Sequence, residues 1–501
     1  MAPEQLSLHL TPSMPAEPQR RERQTTARKS DCPIVPTKPG NAGGGKGAGP
    51  KHLSSDSPSA HRGGNTVAAR LERITRRSRE HPREALTNLA HHLDVEMLEE
   101  SYRELKSGKA PGVDGVTKAE YGERLEENLA SLVERLKRNG YHPQPSRRRE
   151  IPKGNGRTRP LGIPALEDKL VQRGLTKVLE RVYEEVFCDF SYGFRPGRSC
   201  HDALKGLSRV IGTKKVNYVV EADIKGFFDH VDFAWLERML EERIQDPKVL
   251  RLIRRLLRAG VMKDGRYEAT TQGTPQGGVI SPLLANVYLH YVLDIWFAKV
   301  VAPQSRGEAY LVRYADDFVA CFQCEEDAVR FYGALPARLA KFKLEVAPEK
   351  TRMLEFGRFA RRDAEHRGES KTATFDFLGF THYCGRSRKG RFKLKWRTST
   401  GRLRKSLRSI GEWLRSNRRT PLCELWAELK AKLRGHYAYY GVSDNGPWLG
   451  RFRLAVLRHV YRWLNRRSQR RSFTWRRLNA YVDAHPLTPG VRLVNLNSAY
   501  V

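Results

Sequence analysis

Two adjacent carboxylates, Asp316 and Asp317, stand between the apolar segments Tyr310-Leu311-Val312 and Phe318-Val319-Ala320. The pattern reads strand, acidic turn, strand. Uncompensated charge at the end of a buried hairpin is costly. Such a turn either stays in water or recruits a cation. Mg²⁺ suits the second case, because it takes carboxylate oxygens together with substrate phosphates. A further apolar run, Tyr218-Val219-Val220-Glu221-Ala222-Asp223-Ile224, also ends in a carboxylate. Three carboxylates so placed could hold two metal ions, one activating a 3′-hydroxyl and one stabilising a leaving pyrophosphate. Asp-Asp by itself leaves the solvated turn and the metal site equally open.

The segments around this centre alternate between helix and strand, which suggests a sheet backed by helices. Leu93, Met97, Leu98, Tyr102 and Leu105 fall at helical spacing, and Leu125 to Leu136 reads as a second helix. Arg147 to Pro164 reads as two short strands around Gly154-Asn155-Gly156. Helices are expected from Asp168 to about Val186, over 233–259, and from Pro282 to Trp296. The first 65 residues, Pro/Gly-rich and then Ser-rich, read as a flexible tail with too little apolar surface to offset ordering entropy.

Charge points to the partner. Lys and Arg number 91 against 56 acidic residues in a chain of 501, a net charge of +35 that favours a polyanion. Residues 385–501 hold 28 Lys/Arg and 5 Asp/Glu, so +23 of that charge lies there, with six of the eight Trp. Interleaved Arg and aromatics suit RNA held by phosphate contact and stacking. There is no run of about 18 apolar residues and no apolar leader, so no membrane partner is expected. Seven scattered Cys argue for a reducing, cytoplasmic compartment. Cys321-Phe322-Gln323-Cys324 is a lone Cys-x-x-Cys and reads as buried strand cysteines rather than a zinc site.

The ordered motifs resemble one family. They are Arg159-Pro160-Leu161-Gly162-Ile163-Pro164, Tyr192-Gly193-Phe194-Arg195-Pro196-Gly197-Arg198-Ser199 and Ala222-Asp223-Ile224-Lys225-Gly226-Phe227-Phe228-Asp229. Gly273-Thr274-Pro275-Gln276-Gly277-Gly278-Val279-Ile280-Ser281-Pro282 follows, then Tyr314-Ala315-Asp316-Asp317, Pro348-Glu349-Lys350-Thr351 and Phe377-Leu378-Gly379-Phe380. Together they are similar to a group II intron-encoded reverse transcriptase and maturase, with the resemblance running from about residue 90 to about residue 480. An Ala110-Pro111-Gly112-Val113-Asp114-Gly115-Val116 segment upstream, near 93–117, matches the N-terminal extension of intron-type enzymes.

The resemblance implies an α+β right-hand polymerase. Fingers and palm would occupy 66–385, with an antiparallel palm sheet backed by helices, and 386–501 would form an all-helical basic thumb or maturase domain. It implies a two-Mg²⁺ centre on Asp223, Asp316 and Asp317, with Asp223 and Asp316 the primary ligands, Ile224 a further metal residue, and dNTPs as substrates. Lys153, Arg159, Lys225, Gly226, Phe227, Phe228, Gln276 and Lys350 would form the dNTP site. The backbone of Lys225, Gly226 and Phe227 would line the triphosphate, and the Phe228 ring would exclude a 2′-hydroxyl. Phe377, Leu378, Gly379 and Phe380 would be the primer grip. Asp229 and Asp232 read as helix-start residues rather than ligands.

In the thumb, Arg434, Tyr437, Arg451, Arg458 and Arg462 are the expected RNA contacts, while Phe452, Val456, Val460 and Trp463 fall on one apolar helix face. The expected partners are the group II intron RNA, an RNA template and a DNA primer or target; monomer and dimer both stay open. No paired Cys-x-x-Cys motifs of the HNH type occur, so second-strand cleavage by this chain is not expected. A domesticated reverse transcriptase in defence or repair, and a non-enzymatic RNA-binding splicing cofactor, are the competing readings.

Overall fold

The computed structural model describes residues 66–501 apart from 155–156, 275–276, 468, 470–471, 488–492 and 497–501. The tail expected over 1–65, Gln276 and the side chain of Lys153 lie outside the described residues.

Helix α1 (Val67–Glu80) opens behind Thr66, whose hydroxyl accepts from the Ala69 amide at 3.3 Å. Asp94 caps α2 (Val95–Glu104) in the same way from Met97, at 3.0 Å. Helix α3 (Lys118–Gly122) starts on a reciprocal Thr117/Glu120 box, and α4 (Leu125–Lys137) follows it. Strands β1 (Ser146–Gly154) and β2 (Arg157–Ile163) form the expected antiparallel hairpin. Helix α5 (Leu166–Tyr183) gathers these pieces: Leu170, Val171, Leu175, Val178, Leu179 and Val182 are all buried along it.

Helix α6 (Cys200–Thr213) leads into β3 (Tyr218–Ala222). The stretch 233–259, expected to be helical, consists of two helices, α7 (Phe233–Glu241) and α8 (Pro247–Arg258). Asp246 makes the break. Its carboxylate accepts the amides of Lys248 and Val249, with Pro247 in the first helical turn. The same carboxylate reaches back to the amides of Leu89 and Ala90 at 2.5 and 2.8 Å. Strands β4 (Val261–Lys263) and β5 (Arg266–Glu268) complete a four-stranded sheet of order β2-β1-β4-β5. The apolar helix expected from Pro282 begins as α9 (Ser281–Leu289), then widens into π turns at His290–Asp294 and Phe297–Val301 before α10 (Ala302–Gln304).

Strands β6 (Ala309–Tyr314) and β7 (Asp317–Phe322), helix α11 (Glu325–Lys341) and strand β8 (Arg352–Glu355) follow. They build the central sheet, antiparallel throughout, in the order β6-β7-β3-β8. Strands β3, β6 and β7 are mostly apolar because both faces are covered. Val220, Phe318, Ala320 and Phe322 face one core, shared with α5, α9 and α11. Val219, Val319 and Cys321 face a second core, shared with α6 and the C-terminal helices. Successive residues of one strand thus serve different cores, the two-residue period of a pleated strand.

After α12 (Ala360–His366) come β9 (Thr374–Phe377), β10 (Phe380–Arg386) and β11 (Phe392–Thr398), a second antiparallel sheet of order β11-β10-β9. This corrects the all-helical expectation for 386–501. Phe392, Leu394, Trp396 and Thr398 alternate with Lys393, Lys395 and Arg397, a strand period written over by basic charge. The boundary expected at 385/386 therefore falls within β10. Helices α13 (Thr400–Ser416), α14 (Leu422–Tyr440), α15 (Gly446–Leu464) and α16 (Trp475–Ala484) follow. Phe452, Val456 and Val460 are buried as their spacing predicts, with Trp463 half-buried beside them. No helix among the described residues is long and apolar enough to cross a membrane.

Candidate active site

Strands β6 and β7 join through a two-residue turn, Ala315-Asp316, closed by the Tyr314–Asp317 pair. Strand β3 lies beside β7, with Ala222 opposite Phe318. Asp223 and Asp316 therefore leave neighbouring strands at the same end of the central sheet. Asp316 is half-buried, and its carboxyl is pushed above the usual range, chiefly by desolvation and further by the negative charge of Asp223. Arg159, from β2, and Lys350 act against that rise. The Lys350 ammonium lies 2.6 Å from an Asp223 carboxylate oxygen.

Main-chain bonds fix Asp223 from the other side. The Asp223 carbonyl accepts the Ala347 amide at 2.8 Å, and the Lys225 amide donates to Glu345 at 2.9 Å, flanking an Ile224–Val346 bridge. The Ile224 side chain is buried, so only its backbone could offer a ligand oxygen. The Lys225 ammonium is exposed and pairs with Glu345 at 3.0 Å, which raises its affinity for the proton. Gly226 turns the chain at φ +56°, a left-handed value that favours glycine. Phe227 is buried beneath this turn and Phe228 half-buried beside it, their rings edge-to-face at 5.4 Å. Phe227 can thus line a site only through its backbone. The Thr274 amide donates to Phe228 at 2.7 Å and the Gly273 amide to Val231 at 2.8 Å, so the glycine-rich segment is laced to this turn. Asp232 accepts the Trp235 amide at 3.0 Å and caps α7, as its spacing suggested.

The donor set fits a divalent cation at Asp223 and Asp316. Two hard carboxylates come together in a desolvated corner, where the Asp223 charge raises the proton affinity of Asp316. Asp317 follows as the first residue of β7, half-buried beside the turn that holds Asp316. Its charge also raises the Cys200 thiol at the start of α6. Among the described residues no group of three potential ligand side chains is drawn together.

The loop before α6 supports the turn. A Cβ built on Gly193 would lie 2.3 Å from the Ala315 amide nitrogen, so glycine alone fits where this loop touches the acidic turn. The Tyr192 amide donates to the Arg313 carbonyl at 2.9 Å. Motif spelling identified this loop but not its contact. Sequence reading also missed Arg313, Asp294 and Asn286, buried polar side chains beside the same turn. Their signal was available: an Arg inside an apolar strand and an Asp inside an apolar helix.

Phe377, Leu378, Gly379 and Phe380 form the tight β9–β10 turn. Phe377, Leu378 and Phe380 are core side chains, so only the backbone of this turn can meet a ligand. The turn is wedged against α14: the Tyr439 hydroxyl donates to the Leu378 carbonyl at 2.8 Å, and Phe380 stacks on Tyr439.

On the C-terminal helices, Arg434, Arg451, Arg458 and Arg462 are exposed, with Arg451 4.7 Å from the centre of the Trp448 ring. Tyr437 is the exception and corrects the expected RNA face. It is buried against Phe452, at 6.0 Å between rings, because its position on α14 repeats four residues after Leu433.

Residues 151–382 match the reverse transcriptase (RNA-dependent DNA polymerase) family. The group II intron-encoded protein LtrA of Lactococcus lactis subsp. cremoris is 42% identical over 224 residues, covering 44% of this chain and 37% of the relative. Protein YkfC of Escherichia coli is 38% identical over 242 residues, covering 43% and 64%. A 91 kDa protein in the cob intron of Schizosaccharomyces pombe is 35% identical over 227 residues, covering 45% and 28%. The chain thus aligns with between 28% and 64% of the length of these relatives. The match spans the β1–β2 hairpin, the whole central sheet and the β9–β10 turn, so the central sheet is the palm of a right-hand polymerase. Residues 151–382 thus carry a reverse transcriptase domain, and that part of the chain is similar to group II intron-encoded proteins.

Proposed function

We propose that this chain copies RNA into DNA from dNTPs and binds its parent group II intron RNA to assist splicing and retrohoming. The observation that carries the reading is the Asp223–Asp316 pair at the open end of the palm sheet, with Arg159 and Lys350 as the cations acting on it. Asp223 and Asp316 would hold Mg²⁺, with the Ile224 carbonyl as a neighbouring oxygen. Bound magnesium supplies Lewis-acid stabilisation of the attacking 3′-oxygen and of the leaving pyrophosphate. Asp317, the next residue, would be the third carboxylate of the centre.

Lys153 and Arg159 would neutralise the triphosphate, Arg159 by its planar fork. The backbone at Lys225, Gly226 and Phe227 would run beneath the phosphates, and Gln276 would lie alongside the nucleotide and template. Phe228 stands two residues after Gly226 with part of its ring exposed, placed to exclude a ribose 2′-hydroxyl. Lys350 would exchange its Asp223 partner for the incoming nucleotide. The turn at 377–380 would seat the primer end through its backbone. Arg434, Arg451, Arg458 and Arg462 would meet RNA phosphates, a binding role in which the protein stabilises the folded intron by preferential association. Such work on intron RNA and its DNA target belongs in the cytoplasm.

The test is primer extension on an RNA template, run beside splicing of the cognate intron at low Mg²⁺. Wild type should extend with dNTPs and accelerate splicing. Asp316→Asn should stop extension and keep the splicing effect. Extension by Asp316→Asn at the wild-type rate would sink the assignment.

A further inference from the structure

Arg313 and Asp294 are both fully buried, and the polymerase chemistry gives neither of them a task. The Arg313 guanidinium grips Asp294 with two parallel bonds, at 2.7 and 2.5 Å. Its remaining terminal nitrogen donates to the Asn286 side-chain oxygen at 3.1 Å and to the Ala315 carbonyl at 2.9 Å. Asn286 in turn donates to the Gly193 carbonyl at 2.6 Å. One planar cation therefore ties the acidic turn to a helix and, through Asn286, to the loop that presses on that turn.

Three features single this arrangement out. A buried ion pair is a poor source of stability, since apolar residues of similar volume commonly do as well or better. Ala315, whose carbonyl the guanidinium holds, has φ +56°, a left-handed conformation sparsely used by residues with a Cβ and kept only when the surroundings enforce it. Asp294 closes a π turn, His290–Asp294, a local widening of the helix of the kind frequent at functional sites. His290, 3.9 Å from Asp294, does not compete for the carboxylate: burial pulls its imidazole down to about 4, so it is neutral.

We propose that Arg313 and Asp294 are positioning residues. They hold Ala315 in its left-handed conformation and so set where the Asp316 carboxylate stands relative to Asp223. The inference rests on the reading of Asp223 and Asp316 as the divalent-cation site. It adds that the geometry of that site is fixed from behind, by a charge-paired strap that touches neither metal nor nucleotide.

The test compares the full-length wild type with Arg313→Lys, which keeps the charge and loses the fork, and with the apolar pair Arg313→Met/Asp294→Leu. Thermal unfolding reports the fold. Mn²⁺ binding followed by electron paramagnetic resonance reports the site without requiring catalysis. Steady-state extension at varied dNTP and Mg²⁺ separates kcat from KM. Both variants should bind Mn²⁺ about 10-fold more weakly and lose about 10- to 100-fold in kcat. Their KM for dNTP should stay within about 2-fold of wild type, and raised Mg²⁺ should partly restore the rate. A folded apolar pair with wild-type Mn²⁺ affinity and kcat would overturn the proposal, because it would leave the strap a packing role only. Should the apolar pair fail to fold, unchanged Mn²⁺ affinity and kcat in Arg313→Lys would overturn it equally. A wild type that binds Mn²⁺ but extends no primer would instead sink the polymerase reading, and the Mn²⁺ comparison would still decide this one.

Discussion

Lys350 holds its ammonium 2.6 Å from Asp223, on the carboxylate that faces Asp316 across the end of the palm sheet. The pairing gives the acidic centre a resident cation, which under the proposed function a metal or nucleotide would displace. Desolvation and the charge of Asp223 both raise the Asp316 carboxyl above its usual range, and Lys350 opposes them.

The sign of that shift makes a prediction about stability. A carboxyl whose folded-state value is raised favours the fold while it is protonated and loses that advantage as pH rises through the raised value. Without divalent metal, Asp316→Asn should therefore raise the thermal midpoint at neutral pH by roughly 1–3 °C and leave it less sensitive to pH on the acid side. Adding Mg²⁺ should stabilise wild type and not the variant. Calorimetry across pH, with and without Mg²⁺, checks both. A lower midpoint for Asp316→Asn in metal-free buffer at neutral pH would contradict the desolvation account.

Phe228 should govern sugar choice. Its ring is partly exposed and braced edge-to-face on Phe227. Phe228→Ala should raise ribonucleotide incorporation relative to dNTP by about 10-fold or more, since the discrimination is steric exclusion. Competition assays read the ratio directly, and unchanged sugar selectivity would remove Phe228 from the role.

Gly193 should be intolerant of a single methyl group. Its Cβ would meet the Ala315 amide nitrogen at 2.3 Å, backbone against backbone, with no flexible side chain to yield. Gly193→Ala should cost about 1–3 kcal/mol of stability, as overpacking does. It should also cut extension far more than nearby surface changes do. Urea unfolding with parallel extension assays measures the two effects.

The thumb arginines and Tyr437 should separate cleanly. Neutralising Arg451, Arg458 and Arg462 to Gln should lower the log–log salt slope of RNA binding by about 2, near 0.7 for each lost single-strand phosphate contact. Tyr437→Ala should cost about 3 kcal/mol of stability through the lost core ring. It should leave that slope unchanged. Filter binding over a salt series distinguishes them.

Where the candidate carboxylates stand was legible, because charged residues that end apolar runs mark strand ends and turns. Asp223 and Asp316 stand where an apolar run stops, and such stops survive in any single sequence. Asp317 opens β7 directly after the turn, so adjacency in sequence and adjacency at the sheet end coincide there. Tyr437 was misread because an aromatic among arginines suits stacking and core alike, and only the packing of α14 on Phe452 decides between them. Strand β11 was hidden because Lys and Arg at every second position masked its apolar face. Arg313 stands out locally as an Arg inside an apolar strand, but its role was not legible, because its partners come from α9, the following π turn and the acidic turn itself, up to 27 residues away.

The palm strands face two cores at once, one residue to each in turn. The consequence concerns dissection. The palm sheet is a party wall, and the C-terminal helices are the room on its far side. A fragment ended near residue 385 would cut β10, strip β11 from it and remove the helices that fill the far part of the second core, leaving α6 and β9 beside Val219, Val319 and Cys321. The central sheet and the C-terminal helices thus share one core, and any engineered separation has to begin by re-surfacing that wall.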